Sequence, residues 1–339
     1  MIKRWGRVAF FVLLLIPAIV VIGIVVVRAP DVVVYCAHDS VYAAAIIQKF
    51  ETQTGLRVAV KYDTEATKSL GLTELLIYER ERPQCDVFWN NELLGTLDLQ
   101  KQGVLEPYKG SGYARIPEVH KDPDGHWTGF AARMRVYIVN TNLCTASYAA
   151  IEERLTAGDL SRVAMARPLY GTTLTHYAVL WRQLGEAGLV AWHDSLRERG
   201  LRVLAGNSTV KNQVAAGGCD FGFTDTDDFF MAQDAGAPVA LLPVLTPAGQ
   251  TIVIPNSVSI MAHCPHELAA RRFVDYLLSA ETELALANSP SRQIPLGPVD
   301  RSRLPNEVAD LVPAAAKGCS LAGLGESRTA CIAWLKEGG

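Results

Sequence analysis

From residue 31 onward the chain keeps exchanging one hydrophobic period for another, and that exchange restricts it to few architectures. DVVVYC (31–36), RVAVKY (57–62) and CDVFW (85–89) are short runs rich in β-branched and aromatic residues, as buried strands are. Between the first two, residues 40–54 repeat Ala44, Ile47 and Phe50 on one helical face before Gly55 ends the pattern. Residues 67–80 predict a second helix, and 92–102 a third that Gly103 stops. Short strands alternating with amphipathic helices specify an α/β fold with a largely parallel sheet.

A polar section with Pro and Gly, 107–129, reads as loop, after which MRVYIVNT (134–141) predicts a long strand. VAMA (163–166), LRVLAG (201–206), DFGFTD (220–225) and VALLPV (239–244) follow as strands with helices between them, and TIVIPNSVSIMA (251–262) predicts a return to the first unit. A chain of 339 residues exceeds one ordinary core. The strand at 134–141 is therefore expected to cross between two lobes, 31–133 with 251–339 forming lobe one and 134–250 lobe two.

Residues 1–30 read differently. Twenty residues without a charge, 8–27, are enough to cross roughly 30 Å of hydrocarbon as a helix, with Pro17 and Gly23 tolerable inside it. Lys3, Arg4 and Arg7 before the run favour a cytoplasmic N-terminus. No small-x-small site precedes Asp31, so an uncleaved single-pass anchor is expected, with the globular part in the periplasm or outside the cell. Without the four cations of this segment, the remainder carries 28 basic against 35 acidic side chains. An acidic balance argues against a nucleic-acid surface, which needs clustered Lys and Arg.

Seven cysteines outside the cytoplasm leave at least one unpaired. Cys319 and Cys331 bracket a short C-terminal segment and are the expected disulfide; Cys36, Cys85, Cys144, Cys219 and Cys264 read as small buried apolar residues.

The runs VVVYCAHDSVYAAAIIQKFETQTGLRVAV, CDVFWNNELLGTLDLQKQGVLEPY and ARMRVYIVNT, then PHELAARRFVDYLLSAETELAL and RQIPL, together resemble the type 2 periplasmic binding proteins of solute-binding family 1. The motifs are most similar to those of ferric-iron-binding receptors of ABC importers, over about residues 31–296. The resemblance implies a two-lobed type 2 periplasmic-binding-protein fold with its ligand between the lobes. It implies an ABC permease and ATPase as partners, and Fe(III), where bound, as transported ligand.

Four segments then fall at the cleft. His38, Asp39 and Ser40 follow the first strand and open a helix, whose free N–H groups hold an anion or whose start Asp39 or Ser40 merely caps. Asn90, Asn91 and Glu92 follow the third strand. The resemblance places an iron-ligating Glu at or beside Glu92, although complementing a helix dipole also accounts for it. Arg133 and Arg135, two apart on a strand, point to one side and either grip one oxyanion or form a salt bridge near the hinge. Thr172 and Thr173, after Tyr170 and Gly171, precede one helix, and Asn207 and Ser208 another. In the resembling receptors these places hold small anions, and capping explains each residue singly.

TDTDD (224–228) departs from the resembling receptors, which carry adjacent tyrosines near here. Asp225, Asp227 and Asp228 put phenolate ligation in doubt, but carboxylates are also hard oxygen ligands. Asp227 or Asp228 with Glu92 and His38 is the candidate metal set. The same aspartates equally suit an ammonium group, or the cap of a helix. The expected ligand is ferric iron with an anion, or a small anionic or zwitterionic solute such as a phosphonate. A tethered sensor or adaptor is the alternative. An enzyme lacks support, since no G-x-S-x-G, H-E-x-x-H or phosphate-loop motif occurs.

Overall fold

The computed structural model describes residues 29–38, 40–63 and 70–338. The expected anchor at 8–27 lies outside the described residues, among which no helix is long and apolar enough to cross a membrane.

Lobe one begins with β1 (Val32–Cys36), α1 (Ser40–Thr54), β2 (Val58–Tyr62), α2 (Leu70–Tyr78), β3 (Val87–Asn90), α3 (Leu94–Lys101), β4 (Leu105–Glu106) and α4 (Ser111–Arg115). β1 lies between β2 and β3 and runs parallel to both. Val32, Val34 and Cys36 are fully buried, as expected of a central strand covered on both faces.

β5 (Thr128–Asn140) joins the lobes. Thr128 to Met134 pair antiparallel with β10 (Val253–Met261), which itself pairs with β3, while Arg135 to Val139 pair with β8 (Phe221–Asp225). One continuous strand thus serves both sheets, and the exchange falls between Met134 and Arg135. The strand starts six residues before the sequence suggests. TGFAAR has no alternating pattern, and its partner β10 is more than a hundred residues away.

Lobe two contains α5 (Tyr148–Ala157), β6 (Val163–Ala166), α6 (Gly171–Glu198), β7 (Arg202–Leu204), α7 (Asn207–Ala215), β8, α8 (Thr226–Asp234) and β9 (Val239–Pro243). β6 runs parallel to β8 on one side and to the edge strand β7 on the other. α6 is kinked at Gly185, whose φ of 72° an L side chain rarely adopts.

After β10 come α9 (Glu267–Leu277), α10 (Ala280–Ala287), α11 (Asn306–Ala309), α12 (Val312–Ala315) and α13 (Gly325–Lys336). α9 buries Ala270, Phe273, Val274 and Leu277, one stripe at helical spacing. Phe273 meets Phe50 edge to face with centroids 4.9 Å apart, in a core that includes Val34, Trp89 and Phe130. Each such fully buried aromatic contributes about 1.5–3 kcal/mol over leaving it exposed.

Two expectations are corrected here. Cys319 and Cys331 are buried free thiols, not a disulfide. Cys331 faces inward from α13, and the Cys319 N–H is tied to the Thr251 carbonyl at 2.9 Å, so both serve as small apolar residues of one core. The C-terminal tail, expected with lobe one, ends in a helix packed on α6 of lobe two and on α3 of lobe one. Trp334 packs against Trp181 and meets His193 edge to face, and Arg328 pairs with Asp98.

Candidate functional site

β8 ends at Asp225 and α8 starts at the next residue, so Asp225, Asp227 and Asp228 straddle a strand-to-helix junction. One carboxylate oxygen from each lies within 4.8 Å of the others. Asp225 does not cap α8 with its side chain. It turns to Arg135, whose Nη1 donates to Oδ1 at 2.9 Å, while Thr172 Oγ1 and Asn207 Nδ2 donate to Oδ2 at 2.6 and 3.0 Å. The same Nη1 lies 3.2 Å from Thr172 Oγ1 and from Asn207 Oδ1, and Thr173 Oγ1 donates to Asn207 Oδ1 at 3.3 Å. Gly171, at φ 60°, makes the turn that presents Thr172 and Thr173 in the first turn of α6.

Arg135 is fully buried and Asp225 nearly so, which requires the pair to be tightly made. Asp228 has no such cation. Its oxygens accept from Thr224 Oγ1 at 2.8 Å and Ser208 Oγ at 3.3 Å. Burial pushes the Asp228 carboxyl up to about 7, and the charges of Asp227 and Asp225 reinforce this against Thr224 and Lys211. Burial also raises Asp227, opposed by Arg133. Three carboxylates against two guanidiniums leave the junction short of positive charge. Its solvent edge is formed by Asp227, Ser208 and the half-buried Asn207.

Arg133 reaches across. Nη2 donates to the Asn91 carbonyl of lobe one at 2.7 Å, and Nη1 approaches Asp227 Oδ2 of lobe two at 3.4 Å. The two arginines therefore do not share one oxyanion; each faces its own aspartate.

On the lobe-one side the structure assigns Glu92 to a different task. Its carboxylate accepts from the N–H groups of Leu94 at 2.6 Å and Gly95 at 2.8 Å, capping α3. His38 is buried beside Trp89 and Tyr42, and its Nε2 accepts from Gln293 Nε2 at 3.1 Å, since Gln293 Oε1 is engaged by Asn256. Ser40 is exposed at the start of α1, and Asp39 lies outside the described residues. Among the described residues, the carboxylate group suited to a metal is Asp225, Asp227 and Asp228; His38 and Glu92 are not part of it. Tyr170 is half exposed and donates to the Ala205 carbonyl at 2.6 Å.

Nine of the expected residues thus meet at one junction: Arg133, Arg135, Thr172, Thr173, Asn207, Ser208, Asp225, Asp227 and Asp228. Asn91 joins them through its carbonyl. Thr224 beside Asp228, and Asn256 and Gln293 on the side of His38, lie beyond the expected site residues. Thr224 stands four residues before Asp228 in the same acidic run, Asn256 in TIVIPNSVSIMA and Gln293 in RQIPL, so all three lie in segments whose pattern the sequence shows.

With this geometry in place, the likenesses to known proteins can be placed. Residues 32–288 match the family described as bacterial extracellular solute-binding protein. Iron uptake protein A2 of Synechocystis is 26% identical over 218 residues, 59% of this chain; the match spans 62% of that curated relative's length. Iron-bound HitA of Pseudomonas aeruginosa superposes with a TM-score of 0.76 at 20% identity, covering 90% of this chain and 98% of that one. AfuA of Actinobacillus pleuropneumoniae, with fructose-6-phosphate bound, superposes with a TM-score of 0.69 at 18% identity, covering 90% and 98%. These superpositions show the shared two-lobed α/β fold, and the matched family covers most of the chain: it belongs to the bacterial extracellular solute-binding proteins.

Proposed function

We propose that this protein is the ligand receptor of an ABC importer, working outside the cytoplasm, and that its cargo is a hard cation of the ferric type taken up with an anion. The observation that carries the cation is the carboxylate triad at the β8–α8 junction, in which Asp228 has no guanidinium partner. Oxygen-only sites of this kind suit hard cations, and the triad needs none of the tyrosines of the resembling receptors. The relatives named for iron support this cargo. The accompanying anion would sit toward the starts of α6 and α7, where the first-turn N–H groups of the helices are donors and Thr173, Asn207 and Ser208 line the approach. A permease and an ATPase are the proposed partners, with the 8–27 segment holding the receptor at the membrane.

A second reading, a phosphorylated organic solute, is favoured by Arg133 at the mouth of the site and by the sugar phosphate in the AfuA structure. The two are separated by titrating the purified full chain calorimetrically with ferric nitrilotriacetate and with fructose 6-phosphate, alongside elemental analysis of the protein as isolated. Saturable ferric binding lost in Asp227→Asn supports the first reading. Phosphate-ester binding without metal replaces it with the second.

A further inference from the structure

Away from the junction, lobe two carries a cavity of about 400 Å³ lined by Arg167, Pro168, Leu169, His193, Arg197, Val203 and Leu335. Its walls come from the β6–α6 loop, the second half of α6, the edge strand β7 and α13. Arg167 and Arg197 are exposed, and among the described residues neither side chain has an ion pair or hydrogen bond. His193, which lines the same cavity, is only 5% exposed. Its Nδ1 meets the Tyr177 hydroxyl at 2.9 Å, whereas Nε2 is buried without a partner. With the tyrosine donating, that nitrogen carries a proton and lacks an acceptor. A buried unmet donor costs about 1–3 kcal/mol, so the cavity lacks one acceptor at His193, with two unpaired guanidiniums at its rim. Asp194 and Glu198, the adjacent acids on α6, do not line it.

From this we propose that the cavity is a second ligand site, for a small anion with an apolar body. The anionic group lies between Arg167 and Arg197, its oxygen reaches the His193 Nε2–H after a small movement of the ring, and the body rests on Pro168, Leu169, Val203 and Leu335. A volume of this size is in the range of small-molecule pockets, and a few cationic groups set in apolar walls are how such pockets fix orientation. A bare inorganic anion would leave the apolar walls wet. The site is separate in chemistry from the aspartate junction, yet only the short run from Arg167 to Thr172 separates them in sequence.

The test titrates the purified full chain with phenyl phosphate, benzoate and inorganic phosphate, reading Trp334 fluorescence, since its ring lies edge-on to His193 with centroids 5.2 Å apart. Trp334→Phe assigns the signal, and the ring-nitrogen NMR shifts of His193 give an independent reading in the unaltered protein. The expected result is saturable binding of phenyl phosphate and benzoate, inorganic phosphate at least tenfold weaker, and at least tenfold loss in Arg167→Gln/Arg197→Gln. Asp227→Asn should leave it unchanged. The inference is overturned if no organic anion saturates with a shift of the His193 signals, if the double variant binds normally, or if Asp227→Asn abolishes binding.

Discussion

Arg133 and Asp227 stand on opposite sides of the interlobe junction, and the guanidinium that faces the carboxylate at 3.4 Å also holds the Asn91 carbonyl of lobe one at 2.7 Å. A cation entering beside Asp227 competes with Arg133 for that carboxylate, so occupancy and the contact between lobes are coupled. A ligand shifts an open–closed equilibrium only by its differential affinity for the two forms. Arg133→Ala should therefore alter the ligand-induced change in radius of gyration and change cargo affinity by about tenfold. Small-angle scattering with and without ferric nitrilotriacetate measures both ends; identical curves for variant and parent would remove Arg133 from the closure.

Asp227→Asn and Asp228→Asn are expected to weaken ferric binding by at least tenfold each, whereas Glu92→Gln should leave it within about twofold. Glu92→Gln should instead cost about 1 kcal/mol of stability by weakening the cap on α3. Calorimetry and urea unfolding of the same three variants give the two readings. A ferric affinity that collapses in Glu92→Gln would return that residue to the cargo.

Why the position of the aspartates was legible and the direction of the Glu92 carboxylate was not follows from what each motif fixes. TDTDD at the end of a buried strand places its carboxylates at a junction whatever the helix after it does. NNELL permits Glu92 either to reach outward or to fold back on the N–H groups of Leu94 and Gly95, and only the path of the chain decides between them. Arg133 and Arg135 share a side of a strand, as their spacing implies. That the strand changes sheets between them, giving each its own aspartate, depends on pairing with residues 90–120 positions away. The succession of strands and helices from β1 to α3 was readable because each run carries its own period. The docking of α13 on α6 was not, because its apolar positions say only that some surface covers them.

Glu283, fully buried, accepts from Arg115 Nη2 at 2.6 Å and from the N–H groups of Ala131, Leu296 and Gly297 at 2.8, 2.8 and 3.1 Å. Ala131 has φ 38°, so this carboxylate helps hold a strained residue of β5. Removing it takes the counter-charge from Arg115, which keeps only the Leu278 and Pro298 carbonyls, and leaves three amide donors unmet. Glu283→Ala is expected to lose about 3–5 kcal/mol in urea unfolding, with Glu283→Gln losing less because its carbonyl still accepts. Equal losses would show that the charge, not the acceptor, matters.

Burial lowers the pKa of His120 to about 4, and burial with the nearby Arg135 charge lowers that of His176 to about 3. In the unfolded chain both return to about 6.5. Below that value the unfolded state binds protons the folded state refuses, so their stabilisation, complete above pH 6.5, is lost as pH falls toward 4 and 3. For His120 the gap corresponds to roughly 3 kcal/mol. Unfolding free energies at pH 7.5, 5.5 and 4.5 should fall steeply in the parent and less in His120→Asn; parallel slopes would contradict the assignment.

The thirteen residues of β5 have a further consequence for how this molecule can be taken apart. Because half of the strand is laddered to β10 and half to β8, no scission point frees one lobe with its sheet intact. A cut before Thr128 keeps β5 with β10, β8 and β9 but parts β10 from β3 and β4, and a cut after Met134 leaves both halves with raw, unpaired edges. Fragments expressed separately should associate only by rebuilding the strand pairing that crosses the break. Biosynthesis faces the same constraint, since β10 must emerge before the first half of β5 has its partner.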